Sequence, residues 1–293
     1  MYEKHFNLSL APFNLNPDPR FLYVTEPVKE ALATLAYGVN NRKGFVLLTG
    51  DVGTGKTTLL NVFMQWLTKR NAATAFVFNP QMGTDEFLDF ILADFGIDCN
   101  SMMKSRRLYL LNDWLLKRHA AGQPVVLIVD EAQRLTEEML EELRLLTNLE
   151  TPTHKLIQIV LSGQIELDKI LARSSLRQLR QRITLRCRTV PLTARQTAEY
   201  IAQRIYIAGG NYKEMFDPAA ANLVFTYSNG IVRMINLLCD QALIGAFCDN
   251  EDRVTPKQVQ FAARELDLFE HKSSETGDDR PSNSFEPIQE GTR

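Results

Sequence analysis

"GDVGTGKT", residues 50–57, is the stretch on which the reading of this chain turns. It follows the short apolar run "GFVLLT" (44–49) and opens "KTTLLNVFMQWLTKR" (56–70), whose apolar residues recur at helical spacing. A strand, a glycine-rich turn and a helix form the context in which G-x-x-x-x-G-K-[ST] has a physical mechanism. The glycines let backbone N–H groups close around a phosphate, and the helix N-terminus adds partial positive charge. Gly50, Asp51, Val52, Gly53, Thr54, Gly55, Lys56, Thr57 and Thr58 are therefore the candidate cradle. Lys56 can reach the β- and γ-phosphates, and the Thr57 hydroxyl can ligate Mg2+.

Working outward, "ATAFVFN" (73–79), "PVVLIVDE" (124–131), "KLIQIVLSG" (155–163) and "RITLRCRTV" (182–190) read as further buried strands. Helical patterns separate them at 84–96, 105–120 and 136–150. This alternation predicts a five-stranded parallel α/β sheet flanked by helices. Beyond Pro191 the strand patterns stop. Segments 193–210, 217–228, 231–247 and 255–269 all read as helices, which predicts an all-α subdomain after the sheet. Residues 270–293 are polar and turn-rich and read as a disordered tail. The expected division is a nucleotide-pocket linker (1–43), an α/β core (44–190), a helical lid (191–269) and the tail.

The run "VVLIVDEAQ" places Asp130 and Glu131 at the carboxyl edge of the sheet, where open α/β folds bind ligands. Asp130 is expected to hold Mg2+ through water, and Glu131 to polarise an attacking water as general base. No N-K-x-D run, which would read a guanine, occurs, and this favours ATP. Arg233 stands near a helix start just after Asn229–Gly230, read here as flexible, and a cation there can swing onto a γ-phosphate.

The formal net charge of −2 gives no global pull toward nucleic acid or acidic lipid, so any such affinity must be local. The four cysteines form no C-x-x-C pair and read as core residues of a reducing compartment. The N-terminus has no apolar signal region, and no apolar run approaches the ~20 residues of a membrane span. A cytoplasmic protein is expected.

Set against that near-neutral balance, "LARSSLRQLRQRITLRCRTV" (171–190) holds six arginines between Arg173 and Arg188 and no acid. Arg173, Arg177 and Arg180 have the spacing of one helical face. A solvated basic face, a nucleic-acid strip and a catalytic cation acting in trans all fit the charge alone.

In this order, the P-loop, the "DE" strand end, the polar fourth-strand end, the basic segment and the G-x-x-R helix resemble the AAA+ ATPases. More narrowly, the chain is similar to the ExeA/GspA-type secretion ATPases and their relatives in pilus and exosortase-linked loci. The resemblance covers about residues 1–268. It is carried by the opening "MYEKHFNLSLAPFNLNPDPRFLYVTEPVKEALATLAYGV", by "GFVLLTGDVGTGKTTLL", "VDEAQRLTEEMLEELRLLTNLET", "KLIQIVLSGQIEL" and "LRQLRQRITLRCRTVPLT".

The resemblance implies a P-loop NTPase AAA+ fold with a C-terminal all-α lid. It implies sensor roles for Ser162, Gln164 and Arg233, a parking partner for Glu131 in Asn79, and an adenine wall around Phe21–Tyr23, with Tyr23 as nucleotide contact. It also implies an arginine finger, Arg173 or Arg182, reaching the γ-phosphate of the next subunit in an ATP-dependent ring. The other arginines would then face the acidic helix of a neighbour (Glu137, Glu138, Glu141, Glu142). Longer members of the group continue into a transmembrane segment and a peptidoglycan-binding domain that this sequence lacks. The expectation is thus a cytoplasmic ATPase, peripheral at the inner membrane, docking on an envelope-machinery protein for secretion, pilus or polysaccharide export. The alternative is a DNA-linked AAA+ ATPase resembling transposition regulators.

Overall fold

Asp130, Ser162 and the P-loop meet because of strand order. In a computed structural model, which describes residues 1–78, 80, 82–99 and 103–268, five strands form one parallel sheet. They are β1 (Phe45–Thr49), β2 (Ala73–Val77), β3 (Val125–Val129), β4 (Gln158–Gly163) and β5 (Ile183–Arg188), in the order β2-β3-β4-β1-β5. Strands β1, β3 and β4 are buried at every position, as continuous apolar runs require when both faces are covered. The edge strand β5 alternates instead: Ile183 and Cys187 are buried while Arg186 and Arg188 face out. Leu48 pairs with Ser162 in register, and Val129 with Leu161, so the loops after β1, β3 and β4 leave the same edge side by side.

Thirteen α-helices accompany the sheet among the described residues. Before β5 lie α1 (Tyr2–His5), α2 (Glu26–Asn40), α3 (Lys56–Lys69), α4 (Thr84–Asp94), α5 (Lys104–Ala120), α6 (Glu137–Leu146), α7 (Glu166–Leu171) and α8 (Arg177–Arg182). After it come α9 (Ala194–Ile207), α10 (Tyr212–Met215), α11 (Pro218–Ser228), α12 (Val232–Cys248) and α13 (Pro256–Glu265). The pleat sends alternate strand residues to opposite layers. Leu127, Val129, Ile159 and Leu161 pack with Phe87, Ile91, Leu111 and Leu143 of α4–α6. Val126, Ile128, Val46 and Val160 pack with Leu35 of α2 and Leu59, Leu60 and Phe63 of α3. No described helix is long and apolar enough to cross a membrane.

The N-terminal 43 residues are more structured than a linker. Ala31, Leu35 and Val39 recur every four residues and bury one stripe of α2, which starts with Pro27 in its first turn. Upstream, Tyr2, Phe6, Leu8 and Phe13 are buried in a third apolar cluster with Ile201, Ile205, Phe216, Leu238 and Leu243 of the C-terminal helices. Arg204, 5% exposed, ties the two together: its Nε donates to the Pro12 carbonyl and its Nη2 to that of Asn14 at 3.1 Å. Its guanidinium lies over the Phe21 ring, 4.2 Å from the centroid. The same segment reaches the P-loop helix, where Asn61 Nδ2 donates to the Pro17 carbonyl at 2.7 Å.

Two local expectations are corrected. Arg173 does not share a helical face with Arg177 and Arg180, because its backbone is extended and α8 begins only at Arg177, after a tight turn at Ser174–Leu176. The Asn229–Gly230 step is a fixed turn and not a loose one. Both residues are left-handed (φ 49° and 75°), and Leu192 N donates to the Gly230 carbonyl at 2.9 Å. Asn79 and residues 270–293 lie outside the described residues.

A Cβ built on Gly230 would lie 1.9 Å from the Leu192 carbonyl oxygen. Gly230→Ala therefore combines a left-handed backbone with a backbone clash and is expected to cost at least about 2 kcal/mol. Denaturant unfolding checks it; an unchanged midpoint would contradict the tight turn.

Candidate nucleotide site

Between β1 and α3 the P-loop turns on two left-handed glycines, Gly53 (φ 77°) and Gly55 (φ 95°), a conformation that side chains resist. Gly50 is pressed against the end of β5: a Cβ there would meet Thr189 Oγ1 at 2.1 Å. Thr54 Oγ1 donates to the Asp51 carbonyl at 2.7 Å and therefore accepts from Thr189 Oγ1, also at 2.7 Å. Lys56 is 6% exposed, and its Nζ donates to the carbonyls of Gly50 (2.7 Å) and Asp51 (2.9 Å). Burial lowers the Lys56 pKa below the usual lysine value, while Glu131, Asp130, Asp51 and Glu166 pull the other way. Val52 stands exposed at the rim.

The carboxylate of Asp130, 4% exposed, is the centre of the adjoining constellation. Its Oδ1 accepts from Ser162 Oγ at 2.7 Å and from the Glu131 N–H at 3.0 Å, and its Oδ2 accepts from Thr57 Oγ1 at 3.0 Å. Three segments thus supply donors to one buried anion, as burial of a charge demands. Glu131 itself has a left-handed backbone (φ 53°), uncommon for a side-chain-bearing residue. Its Oε2 accepts from Gln133 Nε2 at 2.6 Å and from Gln164 Nε2 at 3.2 Å, and Gln133 Oε1 in turn accepts from the Gln164 N–H at 3.1 Å. Gln133 is a site residue that sequence reasoning passed over. Its signal was the fourth letter of "DEAQ", which has no role until the β3 and β4 ends are seen side by side.

The C-terminal helices close the cleft from the other side. Arg233 N donates to the Gly53 carbonyl at 3.0 Å, and a Cβ on Gly53 would approach Arg233 Cβ to 2.8 Å. One half of the cleft is lined by Lys56, Thr57, Thr58, Glu131 and Arg233. An adjoining apolar half is walled by Phe21, Leu22, Tyr23, Val28, Val190 and Leu192. Tyr23 joins that wall, its hydroxyl donating to Glu199 at 2.6 Å and its pKa pushed up to about 12, by burial first and by Glu199 second.

Arg173 and Arg182 stand apart from this cleft. Arg173 is largely exposed and pairs with Glu137 at 2.7 Å. Arg182 is half-buried, its Nη1 shared among the Arg144 carbonyl (3.0 Å), Thr147 Oγ1 (2.8 Å) and Asn148 Oδ1 (2.8 Å). Arg186 and Arg188 both pair with Asp168. The acidic helix was expected to face a neighbour, yet three of its four acids pair within the chain: Glu137 with Arg173, Glu141 with Arg144, Glu142 with Lys104. Of these three, only Glu137 is paired by the basic segment; Glu141 is met within α6 itself and Glu142 from α5.

Residues 39–171 match a family model described as the AAA domain. The same fold occurs in the Aeropyrum pernix ORC2 protein (18% identity, 87% of this chain and 71% of that one, TM-score 0.65) and in Cdc6p from Pyrobaculum aerophilum (16% identity, 87% and 70%, TM-score 0.65). It also occurs in the Thermotoga maritima RuvB Holliday junction branch migration motor (18% identity, 83% and 70%, TM-score 0.55). At such identities the likeness is one of fold, and the fold is that of the AAA+ P-loop ATPases. Within that class, the chain is 42% identical over 267 residues to General secretion pathway protein A of Aeromonas hydrophila. The match takes in 91% of this chain and 48% of the relative, so the chain spans about half the length of the protein it matches.

Ser162→Ala removes one of the two hydrogen bonds to Asp130 Oδ1 and is expected to destabilise the fold by about 2 kcal/mol, the worth of a bond to a buried charge. Thermal unfolding of the variant beside wild type measures it, and no loss would mean that Ser162 does not hold the carboxylate.

Proposed function

We propose that this chain binds ATP with Mg2+ and hydrolyses it. The observation that carries the reading is the convergence of Lys56, Thr57, Asp130 and Glu131 at one sheet edge, with Arg233 of α12 closing over the glycine loop. Thr57 and Asp130 fit a magnesium site: a hydroxyl and a carboxylate 3.0 Å apart beside a phosphate cradle are hard oxygen ligands of the kind that cation takes. When bound, the ion neutralises charge on the β- and γ-phosphate oxygens.

The chain's own groups supply the rest. Lys56 exchanges its two loop carbonyls for phosphate oxygens, which replaces neutral acceptors by charged ones. Glu131 accepts a proton from the water whose oxygen attacks the γ-phosphorus, as the bond to the ADP oxygen breaks. In the conformation described here, Gln133 and Gln164 hold the Glu131 carboxylate, so orienting that water requires an exchange of these amide bonds. The packed N-terminal segment, α/β core and helical lid act as the units of this cycle.

The chain works as a ring-forming homo-oligomer in this reading. Arg173 suits the trans finger better than Arg182, because an exposed ion pair is worth only about 0–1 kcal/mol and is readily exchanged. Arg182 is instead tied to the end of α6 by three acceptors. We place the assembled protein on the cytoplasmic side of the inner membrane, docked on a protein of an envelope secretion, pilus or polysaccharide export system. Similarity to a general secretion pathway protein supports this placement. A nucleic-acid strip gains little support, since five of the six arginines are engaged within the chain.

Lys56→Ala is expected to abolish ATP binding, whereas Glu131→Gln keeps binding and lowers kcat by about 10²–10⁴. Steady-state phosphate release and equilibrium nucleotide binding separate the two effects. Arg173→Ala is expected to lower kcat by about 10³ or more with binding intact. Mixing Arg173→Ala with Glu131→Gln subunits should restore part of the rate, because some interfaces then join an intact base to an intact arginine; a mixture as inactive as its parents would remove the trans assignment. Capture from membranes by the Glu131→Gln variant should recover an inner-membrane partner in an ATP-dependent way.

A further inference from the structure

On helix α12, three residues beyond Arg233 and so on the same helical face, lies Asn236, 6% exposed. It lines the cleft where the apolar half meets the phosphate half, and contributes to both. We infer that Asn236 contacts the bound nucleotide directly, donating from its side-chain Nδ2 to an acceptor on the nucleoside part, a ribose oxygen or a base ring nitrogen. The inference rests on the nucleotide site proposed above and adds to it a residue that sets how the nucleoside is held.

A proton inventory carries the argument. Arg204 Nη1 donates to Tyr200 Oη at 2.6 Å, and a guanidinium has donors only. Tyr200 Oη therefore accepts from Arg204, and its single proton goes to its other neighbour, the Asn236 side chain at 2.8 Å. That neighbour must be the amide oxygen. The orientation of the Asn236 amide is thus dictated by a charge two residues away in the relay, and the Nδ2 donors are left for the cleft. Among the described residues nothing accepts from them.

The relay is rigid. Tyr200 is 2% exposed, and Arg204 is fixed by the Pro12 and Asn14 carbonyls and by the Phe21 ring. The chemistry also selects the ligand. Lys56 and Arg233 supply cations to the phosphate half, whereas a neutral amide that can only donate suits a neutral acceptor. Because Asn236 hangs from α12, Tyr200 and Arg204 from α9, and Arg204 holds the N-terminal segment, the nucleoside would read the docking of all three.

The competing role is a purely structural tie between α9 and α12. It predicts lost stability and unchanged nucleotide affinity. We would measure dissociation constants of Mg-ADP and of Mg-tripolyphosphate, which has no nucleoside, by calorimetry on the full chain. Asn236→Ala is expected to weaken ADP about three- to tenfold, the worth of one neutral hydrogen bond, and to leave tripolyphosphate unchanged. Should the alanine variant fail to fold, Asn236→Asp serves, because its oxygen still accepts from Tyr200 while its donors are gone. There ADP should weaken more than tripolyphosphate. Unchanged ADP affinity in the alanine variant, or equal weakening of both probes in either variant, overturns the inference. Wild-type protein that binds neither probe overturns the nucleotide site itself.

Discussion

A carboxylate buried at the end of a central strand cannot stand alone. Asp130 emerges from β3 with almost no exposure, and an uncompensated charge there would cost several kcal/mol. The cost is offset by donors from three directions: Ser162 on β4, Thr57 at the start of α3, and the backbone of Glu131. Those donors exist at that point only because β3 lies beside β4 and β4 beside β1. The same requirement thus pins the glycine loop, the fourth-strand end and the acidic strand end into one site. It also turns Glu131 into a left-handed bend that points its carboxylate at Gln133 and Gln164.

A second constraint works across the cleft. Arg204 is a buried cation with carbonyl, hydroxyl and aromatic partners, so the first twenty residues and the C-terminal helices form one packed body around it. That body contacts the glycine loop through the Arg233 N–H, and helix α3 through the Pro17 carbonyl, which accepts from the Asn61 amide. Movement of the C-terminal helices relative to the sheet would therefore carry the N-terminal segment, and with it the apolar wall of the cleft. The tight turn at Gly230 stands just before Arg233, whose N–H meets the glycine loop.

Much of this was legible in the sequence. The five strands and the helices between them follow from apolar runs and helical spacing, and the cradle from a motif whose glycines have a stated mechanical reason. Asp130 and Glu131 are visible as paired acids at the end of a β-branched apolar run. The buried stripe of α2 is equally present in "EALATLAYGV", where Ala31, Leu35 and Val39 recur every four residues. Arg173, Arg177 and Arg180 have helical spacing yet share no face, because Arg173 is extended and a tight turn at Ser174–Leu176 separates it from α8.

Local sequence, then, determined the elements, their order, the phosphate cradle and the two acids, since each depends on residues within one turn or one strand of each other. What it could not determine was which distant groups meet. The pairing of Tyr2, Phe6 and Phe13 with helices some two hundred residues later leaves no local trace. Neither does the clamp of Gln133 on Glu131, nor the relay from Arg204 through Tyr200 to Asn236. Hydrogen-bond roles are settled by partners, and partners across a fold are chosen by strand order and packing. For that reason the tertiary structure alone decided that Gln133 and Gln164 hold the Glu131 carboxylate and that the Asn236 amide oxygen accepts from Tyr200.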